Sequence, residues 1–196
     1  MYVFSAAAVL SLLSVSMADS LDCETLTKPL VLDDLTPISG KWIFLEGASD
    51  HQKYNSLLKT VNTSWMEFIL PTKNDTGILN QGNMFNGKCN YSSENVTFTK
   101  NGIHFTTKDI TVTGTFLPAC TDCLLLMLTN YDSGDIIKSL YLFVRVEMPS
   151  PREWETYKKQ AECLGFKEAH FRYTGKQKLC PEEKKQSDIE GVKADQ

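Results

Sequence analysis

From Ile38 to Glu147 the chain alternates apolar and polar side chains in short runs, and Gly, Pro, Asn and Asp divide one run from the next. Alternation with a period of two is the mark of half-buried strands. The first strand is predicted at residues 38–45 and the second at 62–70, where Pro71 ends it. The turn Lys73-Asn74-Asp75-Thr76-Gly77 leads into residues 78–85, in which Gly82 is a candidate bulge. Asn86-Gly87 is the strongest hairpin dipeptide in the chain; it turns into residues 89–99, and Asn101-Gly102 turns again. Residues 103–107, 110–117, 123–130 and 136–147 complete a series of eight strands.

After Pro149 the period lengthens. Trp154, Tyr157, Ala161 and Leu164 recur at helical spacing, Ser150-Pro151 supplies a start and Gly165 a stop, so one amphipathic helix is expected against the sheet. A last extended piece, residues 169–173, precedes Cys180, and the lead before the first strand, with Cys23 and residues 31–37, reads as extended. Antiparallel strands joined by hairpins must dispose of their edges. Closing into a barrel removes the edges and leaves an interior able to hold one small ligand, whereas the same strand count also fits a two-sheet sandwich. A single meander followed by one helix favours an all-β fold: an eight-stranded antiparallel up-and-down barrel with a C-terminal α-helix packed outside.

The length of 196 residues allows one domain of ordinary size. Residues 1–18 carry Val9, Leu10, Leu12, Leu13 and Val15 without a charge, and Ser16-Met17-Ala18 offers the small residues of a cleavage site. They read as a secretory signal peptide. The alternative is an anchor helix, but the run is shorter than the roughly 20 residues a bilayer needs. Residues 19–180 are then the folded domain and 181–196 a polar, disordered tail. Twenty basic and twenty-four acidic side chains leave a net charge of -4, which gives no general attraction to a phosphate backbone, so a nucleic-acid partner is not expected. The mature chain is expected in extracellular fluid, as a monomer without stable membrane insertion. Sequons at Asn62, Asn74, Asn90 and Asn95 agree with a glycosylated secreted protein, as do six cysteines, an even number.

Enzyme chemistry finds no recognisable pattern. The three histidines, His51, His104 and His170, fall in no catalytic or metal-binding motif, and there is no nucleophile elbow, H-E-x-x-H or Gly-rich phosphate loop. Asp33-Asp34 reads as a solvated loop and Lys184-Lys185 as part of a charge-balanced tail. No cofactor or metal is expected, and the chain is not expected to be an enzyme.

Gly40-Lys41-Trp42 resembles the G-x-W signature of lipocalins, in which the Trp plugs the closed end of the barrel. The longer block Ile38-Ser39-Gly40-Lys41-Trp42-Ile43-Phe44, with Gln52-Lys53-Tyr54-Asn55 after it, is similar to the orosomucoid branch. So are Trp154 to Leu164, with Glu162-Cys163-Leu164, and Lys178-Leu179-Cys180-Pro181-Glu182-Glu183. In style, with Cys120-x-x-Cys123 inserted, the chain looks most like the fish tributyltin-binding and pufferfish saxitoxin- and tetrodotoxin-binding proteins of that branch. The middle is matched only by strand order, Cys89 and Pro71. The resemblance implies pairing of Cys23 with Cys163 and of Cys89 with Cys180. Cys120 and Cys123 are left over; a redox or metal site is one reading of C-x-x-C, and a local bridge pinching a turn is favoured, because no second C-x-x-C and no neighbouring His accompany it.

Trp42 is inside by resemblance, and strand alternation then puts Phe44 and Glu46 inside with it. Trp65, Glu67 and Ile69 share a face of the second strand; Tyr141, Phe143 and Arg145 share a face of the last, leaving Leu142, Val144 and Val146 to pack beneath the helix. Matching Pro71 and Pro149 to the orosomucoid pattern places Glu67, Ile69, Phe143 and Arg145 in the ligand cavity and Tyr54 near its mouth. His104 either joins them or is a satisfied core residue, the second being favoured. The expected partner is a small hydrophobic or cationic molecule held in the barrel, an organotin or a guanidinium toxin such as saxitoxin or tetrodotoxin, with Glu46 or Glu67 as counter-charge. The alternatives are an acute-phase or immunomodulatory glycoprotein acting through its surface and glycans and, behind it, a disulfide-exchange enzyme.

Overall fold

The computed structural model describes residues 22–71, 75–145, 147–166 and 171–182. The proposed signal peptide, Asn74, Val146, His170 and the tail beyond Glu182 lie outside the described residues. Eight antiparallel strands, β1 (Gly40–Ser49), β2 (Val61–Ile69), β3 (Thr76–Phe85), β4 (Lys88–Thr99), β5 (Gly102–Thr107), β6 (Ile110–Leu117), β7 (Cys123–Asp132) and β8 (Asp135–Val144), pair in chain order. β8 then pairs with β1 and β1 with β2, so the sheet closes into the expected barrel. A short β9 (Phe171–Arg172) adds to β1 beside Glu46 and Gly47.

Among the described residues three α-helices flank the barrel: α1 (Cys23–Thr27), α2 (Gln52–Leu58) and α3 (Pro151–Cys163). α3 follows its sequence signals. Ser150 caps it, Glu153 completes the capping box, and Pro151 sits in the first turn. At the far end Gly165, with φ +82°, lets Gly165 N donate to Glu162 O and Phe166 N to Ala161 O, the two bonds of a Schellman motif. α1 corrects the extended reading of the lead, and α2 falls where no element was predicted. α1 is held by Asp22, whose carboxylate accepts from Thr25 N at 2.7 Å; α2 is capped by His51, whose Nδ1 accepts from Lys53 N at 3.2 Å. Segments of five and seven residues contain too few turns to show a period.

Asn86 and Gly87 both have positive φ, as the Asn-Gly dipeptide requires of a primed turn; Ser133 and Gly134 make the same turn between β7 and β8. Gly82 is no bulge. Its register with Trp65 is unbroken, and a Cβ there would strike the Trp65 indole, so the glycine makes room for that ring.

At the closed end Trp42 is buried, its Nε1 donating to Ile38 O at 2.8 Å, and the Arg145 guanidinium lies 4.1 Å from its ring centroid. The lead crosses this end with Leu30 N bonded to Phe116 O and Leu32 N to Lys100 O. Disulfides join Cys23 to Cys163, Cys89 to Cys180 and Cys120 to Cys123. The first two close separations of 140 and 91 residues, where a bridge restricts the unfolded chain most.

Candidate functional site: the barrel cavity

Inside the barrel is a cavity of about 230 Å³. Its wall is built by alternation. β1 contributes Phe44, β2 Ser64 and Met66, β3 Leu79, Gln81 and Asn83, β5 Ile103 and Phe105, β7 Leu126 and Leu128, and β8 Tyr141 and Phe143. Leu57 and Leu58 of α2 close over it, although the sequence reading contained no helix there. Phe44 meets Tyr141 edge to face, with centroids 5.0 Å apart, and Phe143 at 5.3 Å. The polar atoms of the wall are neutral. Ser64 Oγ donates to Asn83 Oδ1 at 2.6 Å, and burial pushes the Tyr141 phenol up to about 12 against a small opposing effect of Ser139, so it stays protonated.

Phe44, Tyr141 and Phe143 therefore stand where the sequence reading puts them. Tyr54 lies on α2, half-buried, 6.3 Å from His51 between ring centroids, near the mouth but not in the wall. Six further positions are corrections. Glu46 follows a bulge: Phe44 faces Phe143 across the ladder, but Glu46 faces Leu142, so Leu45 is the extra residue and the alternation behind it is inverted. Glu46 leaves the lumen and is buried outside it, bonded to Arg172 Nε at 2.5 Å. Trp65, Glu67 and Ile69 face outward because Trp42 pairs with Met66, and cross-strand partners share a face. His104 is exposed, with Ile103 and Phe105 turned in on either side of it. Arg145 remains below the cavity, donating from Nη2 to Pro37 O and Ser39 O, each at 2.8 Å.

The outward set on β2 has its own partners. The segment after β9 runs across it: Thr63 Oγ1 donates to Lys178 O, Trp65 Nε1 to Cys180 O and Tyr91 OH to Pro181 O, while Lys41 pairs with Glu182 at 2.7 Å. Pro181 and Glu182 thus belong to the folded body, beyond the expected limit at residue 180. Glu67 accepts from Asn80 Nδ2 at 3.2 Å on the outer wall. A cue was present in the sequence, since the other parity of β2, Ser64, Met66 and Phe68, is the one without a charge.

Burial raises the Glu46 carboxyl above its ordinary 4.5, and the Arg172 guanidinium only partly offsets this. A carboxyl raised in the folded state favours folding below its ordinary value, and that contribution is lost as pH rises through the raised folded value. The stability of wild type relative to Glu46→Gln is therefore expected to fall as pH rises from 4.5 through the raised folded value, in urea midpoints measured on both. A constant difference across that range would remove the assignment.

No family model matches the chain. Rabbit (Oryctolagus cuniculus) alpha-1-acid glycoprotein is 27% identical over 201 aligned positions, covering 96% of this chain and 95% of the relative. A dog lipocalin allergen superposes with a TM-score of 0.57 at 18% identity, over 68% of this chain and 90% of its own. A bovine lipocalin allergen gives 0.57 at 17%, over 68% and 89%, and a siderocalin described as having dual ligand specificities 0.56 at 15%, over 67% and 89%. The barrel is of the lipocalin type, and the likeness first seen at the two chain ends extends over nearly the whole sequence.

Proposed function

We propose that this chain, an orosomucoid-like lipocalin, is a secreted carrier that takes a small, largely apolar molecule into its barrel and leaves the molecule's covalent bonds unchanged. One observation carries the reading: the cavity wall is apolar and aromatic, with uncharged Ser64, Gln81, Asn83 and Tyr141 as its polar points. Each Å² of apolar surface removed from water contributes about 25 cal/mol, before the cost of association. An apolar cavity of about 150 Å³ already admits a benzene-sized guest, so 230 Å³ is enough for a larger one.

The two ligand classes of the fish relatives ask different things of such a wall. The alkyl groups of an organotin match its apolar side chains. A guanidinium toxin brings a full charge and several donors, and Glu46, Glu67 and Arg145 all lie outside the cavity. The lining supports the organotin class, or another apolar guest with one polar group. Three disulfides support an oxidising compartment. Among the described residues no helix is long and apolar enough to cross a membrane. Asn62, Asn90 and Asn95 are exposed, and we assign N-linked glycans to them.

Titration calorimetry with tributyltin chloride and with octylguanidinium, at about 0.05 and 0.5 M salt, tests the reading. Tributyltin should bind more tightly, with an affinity independent of salt and unchanged in Glu67→Gln. Tighter binding of the guanidinium, weakening steeply as salt rises, would sink the neutral-wall account.

A further inference from the structure

A second cavity lies outside the barrel, under α3. It measures about 360 Å³, larger than the one inside. Leu26 of α1, Pro118 and Ala119 of the β6–β7 connection, Leu142 of β8 and the buried Tyr157 of α3 supply most of its wall, with Thr25, Glu153 and Thr156 also bordering it. The Glu153 carboxylate is already engaged by Ser150 N at 2.7 Å.

The wall is braced. Cys23–Cys163 fastens α1 to the end of α3, and Cys120–Cys123 shapes the connection opposite. Between them Gln160, only 2% exposed, donates from Nε2 to Leu26 O at 2.9 Å and to Pro118 O at 2.7 Å. Both partners are backbone carbonyls, which only accept, so the amide nitrogen must face them. The amide oxygen is left without a partner among the described residues. Nor is it sealed in the core, since the one fully enclosed side-chain polar atom without a partner there is Ser139 Oγ. Gln160 thus holds two walls of the cavity it lines in place and keeps one strong acceptor unused.

A water in such a space needs two to four polar partners to be held, and apolar surface on most sides does not provide them. We propose that this cleft is a second binding site, for a small neutral molecule with an apolar body and one hydroxyl, of the phenol type: the body packs on Leu26, Leu142 and the Tyr157 ring, and the O–H donates to the Gln160 amide oxygen. The site stands independently of the barrel cavity, from which β8 separates it.

The test uses the full chain with 4-ethylphenol and ethylbenzene as probes, in wild type and in Leu128→Trp, where an indole fills the barrel cavity. Leu128→Trp should still bind 4-ethylphenol saturably, with nuclear Overhauser contacts to Leu26 and Leu142 methyls, and about tenfold more tightly than ethylbenzene, as one buried hydrogen bond implies. Adding Thr156→Trp at the cleft should abolish that binding. Thr156→Trp alone should leave the affinity for N-phenyl-1-naphthylamine, the probe of the barrel cavity, as in wild type. No saturable binding by Leu128→Trp, contacts confined to Phe44 and Met66 in wild type, or equal affinity for the two probes would each overturn the proposal. Loss of N-phenyl-1-naphthylamine binding from wild type would instead count against the barrel reading.

Discussion

Replacing Trp42 with alanine is expected to destabilise the protein by about 3–5 kcal/mol, read from the urea midpoint at constant m-value. The indole is 3% exposed and belongs to the main hydrophobic cluster, so its removal leaves a cavity at the closed end. It also strands two groups. The Ile38 carbonyl loses the Nε1 donor, and Arg145 loses the ring its guanidinium covers. Arg145 holds the Pro37 and Ser39 carbonyls and lies 3.9 Å from Asp122, so loosening it loosens the lead and the β6–β7 connection together. Trp42→Phe keeps a six-membered ring but loses the donor and part of the indole's volume, for which about 1–3 kcal/mol is expected. A Trp42→Ala midpoint indistinguishable from wild type would show that the base of the barrel is held by something else.

Leu128→Trp is expected to weaken N-phenyl-1-naphthylamine at least hundredfold, equivalent to about 2.7 kcal/mol, while changing stability by no more than about 1–3 kcal/mol. Leu128 lies on the cavity wall beside Gly114, where a Cβ on the glycine would meet Ile103 and the leucine methyl, so at that position β6 presents no side chain to compete for the space. An indole there extends into the lumen rather than into packed core. Its volume takes the place of the guest, and its edge can settle against Phe105 or Tyr141, which border the same space. Fluorescence titration measures the first effect and a urea curve the second. Undiminished binding by a folded variant would place the ligand elsewhere.

The contrast between these two variants marks where sequence alternation can be trusted. On β8, which has no bulge, Tyr141 and Phe143 point inward and Leu142 outward, as period two requires. On β1 the same rule holds at Trp42 and Phe44 and fails two residues later, because Leu45 is an extra residue in the ladder. Nothing at Phe44-Leu45-Glu46 announces that bulge; it is a product of fitting β1 against β8 on one side and β9 on the other. On β2 the alternation holds, but the inward face is that of Ser64, Met66 and Phe68 and not that of Trp65, Glu67 and Ile69. Trp65 looks like a core residue by composition, yet its Nε1 finds Cys180 O on a segment 115 residues away, outside the barrel.

Strand existence, the hairpin at Asn86-Gly87, and the capped helix with its stop at Gly165 were decided by short-range chemistry: φ preferences, caps and alternation act within a few residues and are written in the chain, whereas the two long disulfide pairings, across 140 and 91 residues, were legible only through the family resemblance. Which face of β2 looks inward, where Glu46 finds its cation, and that the ligand wall carries no charge were decided only when distant segments met. Inside and outside are properties of a closed surface, and a strand acquires them from its partners.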